Sequence, residues 1–107
     1  MRIRPQEHAR WSADRMSRVA LAATPRALLD LYCLEPGQAQ RPHTHAEQDK
    51  IYVVLEGTAR VSLDGVEETA GPGEVVLARA GIAHGVVNDG PGRLLLLVVV
   101  APPPPHA

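Results

Sequence analysis

Residues 59–69 read ARVSLDGVEET, and this stretch decides the fold class. Its first five residues alternate between apolar and polar side chains, as expected of a strand with one wet face. Asp64-Gly65 follows, and both residues tolerate the positive φ angles that a tight hairpin turn requires. Residues 66–69 can then return as the second strand. The stretch therefore predicts an antiparallel hairpin.

The same rhythm continues in both directions along the chain. Turn signals rich in Gly and Pro separate short segments rich in Val, Leu and Ile, which is typical of sandwiches and barrels. The predicted strands are residues 18–23, 27–34, 51–55, 59–63, 66–69, 74–78, 84–87 and 93–100. Apart from a weak helical pattern before Ser17, no helix is indicated. We therefore expect an all-β fold.

Length and charge limit what the chain can be. With 107 residues we expect a single domain, comprising an N-terminal arm (1–17), a barrel (18–101) and a Pro-rich tail (102–107). Eleven basic against twelve acidic residues give a formal charge of -1, so we expect no nucleic-acid partner. A single cysteine, Cys33, excludes an internal disulfide and any zinc site that needs two thiolates.

Two segments of the chain bear on its location and assembly. Residues 1–18 contain five arginines and no apolar run that resembles a secretory signal, so we expect a cytoplasmic protein. The longest apolar run, 94–101, is far below the roughly 20 residues that a membrane span needs. It predicts a strand that is apolar on both faces, so a second subunit is expected to cover its outer face and form a homodimer. Arg10 and Trp11 are expected to pack on that neighbouring subunit.

Two stretches carry residues with metal-ligand chemistry. In the first, His43-Thr44-His45 places two imidazoles two residues apart, on one face of an extended segment. In the second, Gly81 permits a turn that can direct His84 inward. Imidazole is a common ligand for zinc, iron, nickel and copper. Taken separately, either stretch is more typical of histidines that bind no metal.

Taken together, the two stretches resemble the motifs of the cupin family. The positions that match the two motifs are Gly37, His43, His45, Gly57, Gly73, Gly81, His84 and Asn88. The resemblance covers residues 27–100. It implies a small antiparallel double-stranded β-helix, or jelly-roll barrel, in which His43, His45 and His84 bind one divalent metal ion.

Two positions depart from the family pattern. Arg79 replaces a proline before Gly81, and Lys50 stands where many cupins have a glutamate ligand. An ammonium group cannot donate a lone pair to a metal and repels a cation. A one-residue bulge would bring Asp49 into the pocket instead. Otherwise strand alternation turns Asp49 away when Lys50 points inward.

Lys50 and Tyr52 are the candidate catalytic residues. Inside the pocket Lys50 would serve as a base or as an anion clamp; alternatively it extends outward to Asp49, Glu47 or Glu56. Tyr52 should share the face of Lys50, and its hydroxyl either binds substrate or forms a hydrogen bond with the backbone.

Three functions remain open from the sequence. The first is a metal-dependent enzyme, similar to a dioxygenase, isomerase or lyase, that acts on a small oxygenated or acidic molecule. The second is a non-catalytic domain that binds or senses a small ligand. The third is a metal-free barrel in which Lys50 takes the place of the cation. The metal would be Fe, Zn, Ni, Mn or Cu. Without a carboxylate ligand it keeps its full charge, which favours acidic or dicarbonyl ligands.

Overall fold

The computed structural model describes residues 1–105 as two antiparallel β-sheets that pack face to face. The strands of this part of the chain are β1 (Ser17–Ala23), β2 (Leu28–Leu34), β3 (Ala39–His43), β4 (Asp49–Glu56), β5 (Ala59–Leu63), β6 (Val66–Ala70), β7 (Val75–Ala78), β8 (His84–Val87) and β9 (Leu94–Ala101). The end of the predicted tail, residues 106–107, lies outside the described residues. A short 3-10 helix, Pro5–His8, stands where a weak helical pattern was noted. Among the described helices, none is long and apolar enough to cross a membrane.

The strand order is that of a jelly-roll barrel. One sheet runs β1-β2-β9-β4-β7 and the other runs β3-β8-β5-β6. Because strands distant in sequence are neighbours in both sheets, segments from either end of the chain reach the same interior. The all-β prediction is confirmed.

The hairpin predicted from residues 59–69 is present and supports the second histidine stretch. Asp64 and Gly65 have φ angles of 48° and 81°, as the tight turn between β5 and β6 requires. The Asp64 carboxylate also accepts a hydrogen bond from the amide of Ala83 (2.9 Å), while the Asp64 amide donates to the Ala83 carbonyl (2.8 Å). This turn therefore fixes the backbone immediately before His84.

The core lies between the two sheets and follows strand alternation. Along β4, for example, Lys50, Tyr52 and Val54 are buried, whereas the intervening residues are half-buried on the outer face. The interior apolar cluster includes Tyr32, Leu34, Tyr52, Val54, Val61, Leu94, Leu96 and Val98. Several polar or charged side chains are buried too, among them Asp30, Lys50 and His84.

The N-terminal arm covers part of the outer face that was assigned to a second subunit. Trp11 and Ala9 pack against a small buried cluster formed by Leu31, Cys33 and Leu95. The indole of Trp11 also stacks with the guanidinium of Arg93, which lies 4.6 Å from the ring centre. The arm therefore folds back onto its own sheet, and the packing of Arg10 and Trp11 on a neighbouring subunit stays a prediction.

Candidate metal centre

His43 and His84 are brought together by a strand pair that the sequence did not fully predict. His43 ends β3 and His84 begins β8, and the two residues are direct partners in the antiparallel register. A bulge between Gln40 and His43 gives β3 one residue more than β8 over this span. Pro42 lies in the bulge, where its missing N–H removes no ladder hydrogen bond.

Gly85 allows the bulged strand to approach β8. A Cβ atom at Gly85 would lie 2.7 Å from the carbonyl oxygen of Gln40 and 2.8 Å from the nitrogen of Pro42, closer than real Cβ contacts permit. Only glycine fits between the two backbones without a shift. The close approach in turn places His43 beside His84.

His45 lies beyond the end of β3, in the loop that leads to β4. Its carbonyl accepts a hydrogen bond from the amide of Gly81 (2.8 Å), which ties the two histidine stretches together. Asp49 strengthens the same link, since its carboxylate accepts a hydrogen bond from the amide of Ala80 (2.9 Å). Asp49 thus points away from the interior and holds the loop, and the bulge that would make it a ligand is absent.

The three histidines predicted as ligands form one group. The ring nitrogens that could bind a metal all lie within 4.8 Å of one another. The ring centres are 4.5 Å apart for His43 and His84, 4.7 Å for His43 and His45, and 5.7 Å for His45 and His84. His84 is 1% exposed, whereas the other two are half-buried, so the group faces solvent on the side of His43 and His45.

Backbone hydrogen bonds leave the outer nitrogens of two rings free to bind a ligand. The Nδ1 of His43 lies 3.0 Å from the Arg41 carbonyl, and the Nδ1 of His84 lies 2.9 Å from the Ile82 carbonyl. Since a carbonyl only accepts, Nδ1 carries the hydrogen, and Nε2 of the neutral ring keeps its lone pair. The Nε2 of His84 is buried without a hydrogen-bond partner. This arrangement is typical of metal-binding histidines, so the residues fit a metal ion.

The charges around the group favour neutral rings. Burial lowers the pKa of His84, and the nearby charges of Lys50, His43 and His45 lower it further, against the effect of the hydrogen bond to Ile82. Burial also lowers the pKa of His45, followed by the charges of His43 and Lys50. Protons therefore compete less with a metal at these two rings than at an exposed histidine.

Lys50 points into the barrel. It is 2% exposed, and its Nζ donates a hydrogen bond to Oε1 of Gln40 (3.0 Å). The ammonium also lies 5.0 Å from the ring centre of Tyr32 and 5.4 Å from that of Tyr52. The alternative in which Lys50 extends outward to Asp49, Glu47 or Glu56 is therefore wrong.

Tyr52 shares the interior face with Lys50, as alternation predicted. Its ring centre is 6.4 Å from that of His84. The hydroxyl is buried and has no hydrogen-bond partner, so the expected bond to the backbone is absent. Burial raises the pKa of Tyr52, and the nearby Tyr32 raises it further, so the hydroxyl keeps its proton.

Asn88 and Arg79, the remaining positions of the second motif, lie outside this group. The side chain of Asn88 donates hydrogen bonds to the carbonyls of Leu34 and Gly92, each 2.9 Å away, and so joins β2 to the turn before β9. Arg79 is exposed. Asn88 is therefore a structural residue of the motif.

Three interior residues were missed by the sequence analysis. Asp30 and Tyr32 lie on the interior face of β2, and the alternation of that strand was a signal that could have identified them. Gln40, which holds Lys50, lies in β3. That strand was not predicted, because Arg41 and Pro42 interrupt any apolar alternation.

The chain belongs to the cupin family. The family model described as the cupin domain matches residues 30–100, which include the whole of the histidine group. Comparison with functionally curated proteins gave no match.

Solved structures share the fold over nearly the whole chain. The protein TT1209 from Thermus thermophilus is 41% identical, with a TM-score of 0.93 over 97% of this chain and 100% of that one. A conserved Klebsiella pneumoniae protein with a double-stranded β-helix domain is 26% identical (TM-score 0.88; 94% and 83% covered). KdgF from a Halomonas species is 25% identical (TM-score 0.81; 94% and 92% covered).

Proposed function

We propose that this cupin is a metal-dependent enzyme that binds one divalent metal ion on His43, His45 and His84 and acts on a small oxygenated or acidic molecule. The observation that carries the proposal is the convergence of three imidazoles from two distant segments within 4.8 Å. The unpartnered, buried Nε2 of His84 supports it, because a buried polar atom without a partner is costly unless a ligand satisfies it.

A divalent cation at this position would supply Lewis-acid chemistry toward oxygen atoms of the substrate. Three neutral imidazoles suit Fe, Zn, Ni, Mn or Cu, and they leave room in the coordination sphere for substrate or water. The reaction class that follows is that of an oxygenase, an isomerase or a lyase.

The interior residues contribute binding and orientation. Lys50 presents an ammonium inside the barrel, on the same face as Tyr52, and can hold an acidic group of the substrate. Tyr52 keeps its proton because burial raises its pKa, so its hydroxyl donates a hydrogen bond and does not serve as a base. We assign both residues to the catalytic site on this basis.

A second candidate function rests on the position of Lys50. The buried ammonium of Lys50 acts electrostatically on His45 and His84, so it opposes the binding of a metal cation to these rings. In this alternative the barrel is a non-catalytic domain that binds or senses a small ligand without a metal, and Lys50 takes the cation's place.

Elemental analysis separates the two functions. Protein purified without added metal is expected to contain about one equivalent of a divalent transition metal, and the His43→Ala, His84→Ala double variant is expected to lack it. The matched control is His8→Ala, which removes an exposed histidine of the N-terminal arm and should leave the metal content unchanged. Equal metal content in the parent protein and the double variant would contradict the enzyme proposal.

We also propose that the protein is a homodimer. The outer faces of β9, β4 and β7 form a continuous apolar patch, which we call the outer patch; it consists of Leu97, Val99, Ile51, Val53, Val75 and Leu77. The patch contains no charged side chain, so a second copy can cover it without burying a charge. The cytoplasmic location expected from the sequence stays a prediction.

A further inference from the structure

Lys50 is a buried cation without a salt-bridge partner among the described residues. Its ammonium has three N–H groups, and Oε1 of Gln40 is the acceptor that one of them uses. Within residues 1–105, the salt bridges with a carboxylate involve Arg60 and Arg93 and not Lys50. Burying an ammonium costs several kcal/mol unless it is paired, so the position favours any anion that enters the barrel.

Asp30 gives Lys50 limited compensation. It is 4% exposed, lies on the interior face of β2 and is close enough to interact electrostatically with Lys50. Burial raises the pKa of Asp30, against the opposing charges of Arg18 and Lys50. Asp30 forms no salt bridge with Lys50, because the salt bridges within residues 1–105 involve Arg60 and Arg93.

The charge of Lys50 acts on the metal site. The Nζ of Lys50 lies 5.4 Å from the ring centre of Tyr52, which itself lies 6.4 Å from the ring centre of His84. At this separation the field of the ammonium opposes a metal ion bound to the histidines. Tyr52 lies two residues from Lys50 on the same face, and its unpartnered hydroxyl is a further donor for an anionic oxygen. A small carboxylate would neutralise the ammonium and remove the repulsion.

We propose that Lys50 makes the site selective for carboxylate ligands, so that a small carboxylate and a metal ion on the three histidines strengthen each other's binding. The inference rests on the proposed function, since it takes the histidines as the metal site. By linkage the effect is reciprocal: the factor by which the anion raises metal affinity equals the factor by which the metal raises anion affinity.

The test measures Co²⁺ affinity with and without an anionic probe. Co²⁺ is titrated into metal-free protein and followed by absorption and calorimetry, in the presence of saturating propionate or of propionamide, its neutral analogue. Propionate is expected to raise the Co²⁺ affinity of the parent protein by about 5–150-fold, the usual range for coupled sites. Propionamide is expected to have no effect.

Variants assign the effect to Lys50. Lys50→Met keeps an unbranched side chain without the charge; it should bind Co²⁺ more tightly in the absence of anion and lose the propionate effect. Lys50→Arg keeps the charge and should retain the effect. The matched control Arg79→Met removes an exposed cation two residues before Gly81 and should behave like the parent.

The possible results distinguish a failure of the proposed coupling from a failure of the proposed metal site. Co²⁺ binding that propionate does not change, or a propionate effect that persists in Lys50→Met, overturns the coupling and leaves the metal proposal in place. Absence of Co²⁺ binding in the parent protein and in Lys50→Met, with both folded by circular dichroism, overturns both.

Discussion

The side chain at position 50 places a positive charge inside the barrel. Replacing Lys50 with Glu removes a repulsive ammonium and adds a carboxylate on the same interior face as Tyr52. A carboxylate next to three imidazoles completes the ligand set that many cupins have, so we expect the affinity for a divalent metal to rise by about tenfold or more, or about 1.4 kcal/mol. Competition with a chromophoric chelator measures this change.

Lys50→Gln is the control for the carboxylate. It removes the positive charge and supplies no anionic ligand, so its affinity should fall between those of the parent protein and Lys50→Glu. If Lys50→Glu binds metal no more tightly than Lys50→Gln, the carboxylate does not reach the metal, and position 50 acts only through its charge.

Burial of His84 also predicts a pH dependence for the metal-free protein. Its pKa in the folded state lies below the ordinary value of 6.5, so the unfolded chain binds a proton more readily than the folded one. As pH falls through 6.5 toward the lowered pKa, the free energy of unfolding should decrease. Chemical denaturation at a series of pH values, with a chelator present, measures the slope.

Two variants separate this effect from other titrating groups. His84→Asn should have a shallower slope over the same pH range, because it removes a ring whose pKa is lowered by burial. His8→Asn removes an exposed histidine from the arm and should keep the slope of the parent. A parental slope in His84→Asn would show that the loss of stability on acidification arises elsewhere.

At the scale of elements, the pairing of β3 with β8 decides whether the histidines meet. Gly85→Ala would place a Cβ against the backbone of Gln40 and Pro42, and only a movement of the bulge could relieve the clash. We expect a loss of about 1–3 kcal/mol in the free energy of unfolding. Metal affinity should fall as well, because the movement separates His43 from His84.

Gly92→Ala is the matched control for Gly85→Ala. No atom lies within 4 Å of a Cβ at Gly92, and its φ is not in the left-handed region. Denaturation and metal titration of the two variants should therefore differ. Equal stability and equal metal affinity would mean that β3 is not held at this distance from β8.

The elements also show what the sequence could predict. Asp64-Gly65 and the alternation around it identified β5 and its turn, because both signals are local. Alternation in β4 likewise placed Lys50 and Tyr52 on one face. The strand β3 was missed because a bulge with Pro42 has no regular period, although His43 at its end and His45 just beyond it were identified as candidate ligands.

The position of the arm depended on contacts that no local pattern encodes. Trp11 is separated by more than eighty residues from Leu95, the strand residue whose outer face it helps to cover. An apolar run such as 94–100 indicates that its outer face needs a cover, but it does not indicate which part of the protein supplies it. For Leu95 the cover comes from the same chain.

For the whole molecule, the outer patch remains the surface on which assembly depends. Val75 and Leu77 on the edge strand β7 are 58% and 43% exposed, and their partners in β4 and β9 continue the apolar surface. If a second copy covers this patch, Leu77→Lys brings an ammonium from each protomer into the interface. Since like charges across an interface cost several kcal/mol, we expect the dimer to weaken by at least about 100-fold, as measured by sedimentation velocity. Val66→Lys changes an equally apolar, 65% exposed residue on the other sheet and should leave the dimer intact. A parent protein that sediments as a monomer, or a Leu77→Lys variant that remains dimeric, would mean that this patch is not the contact between subunits.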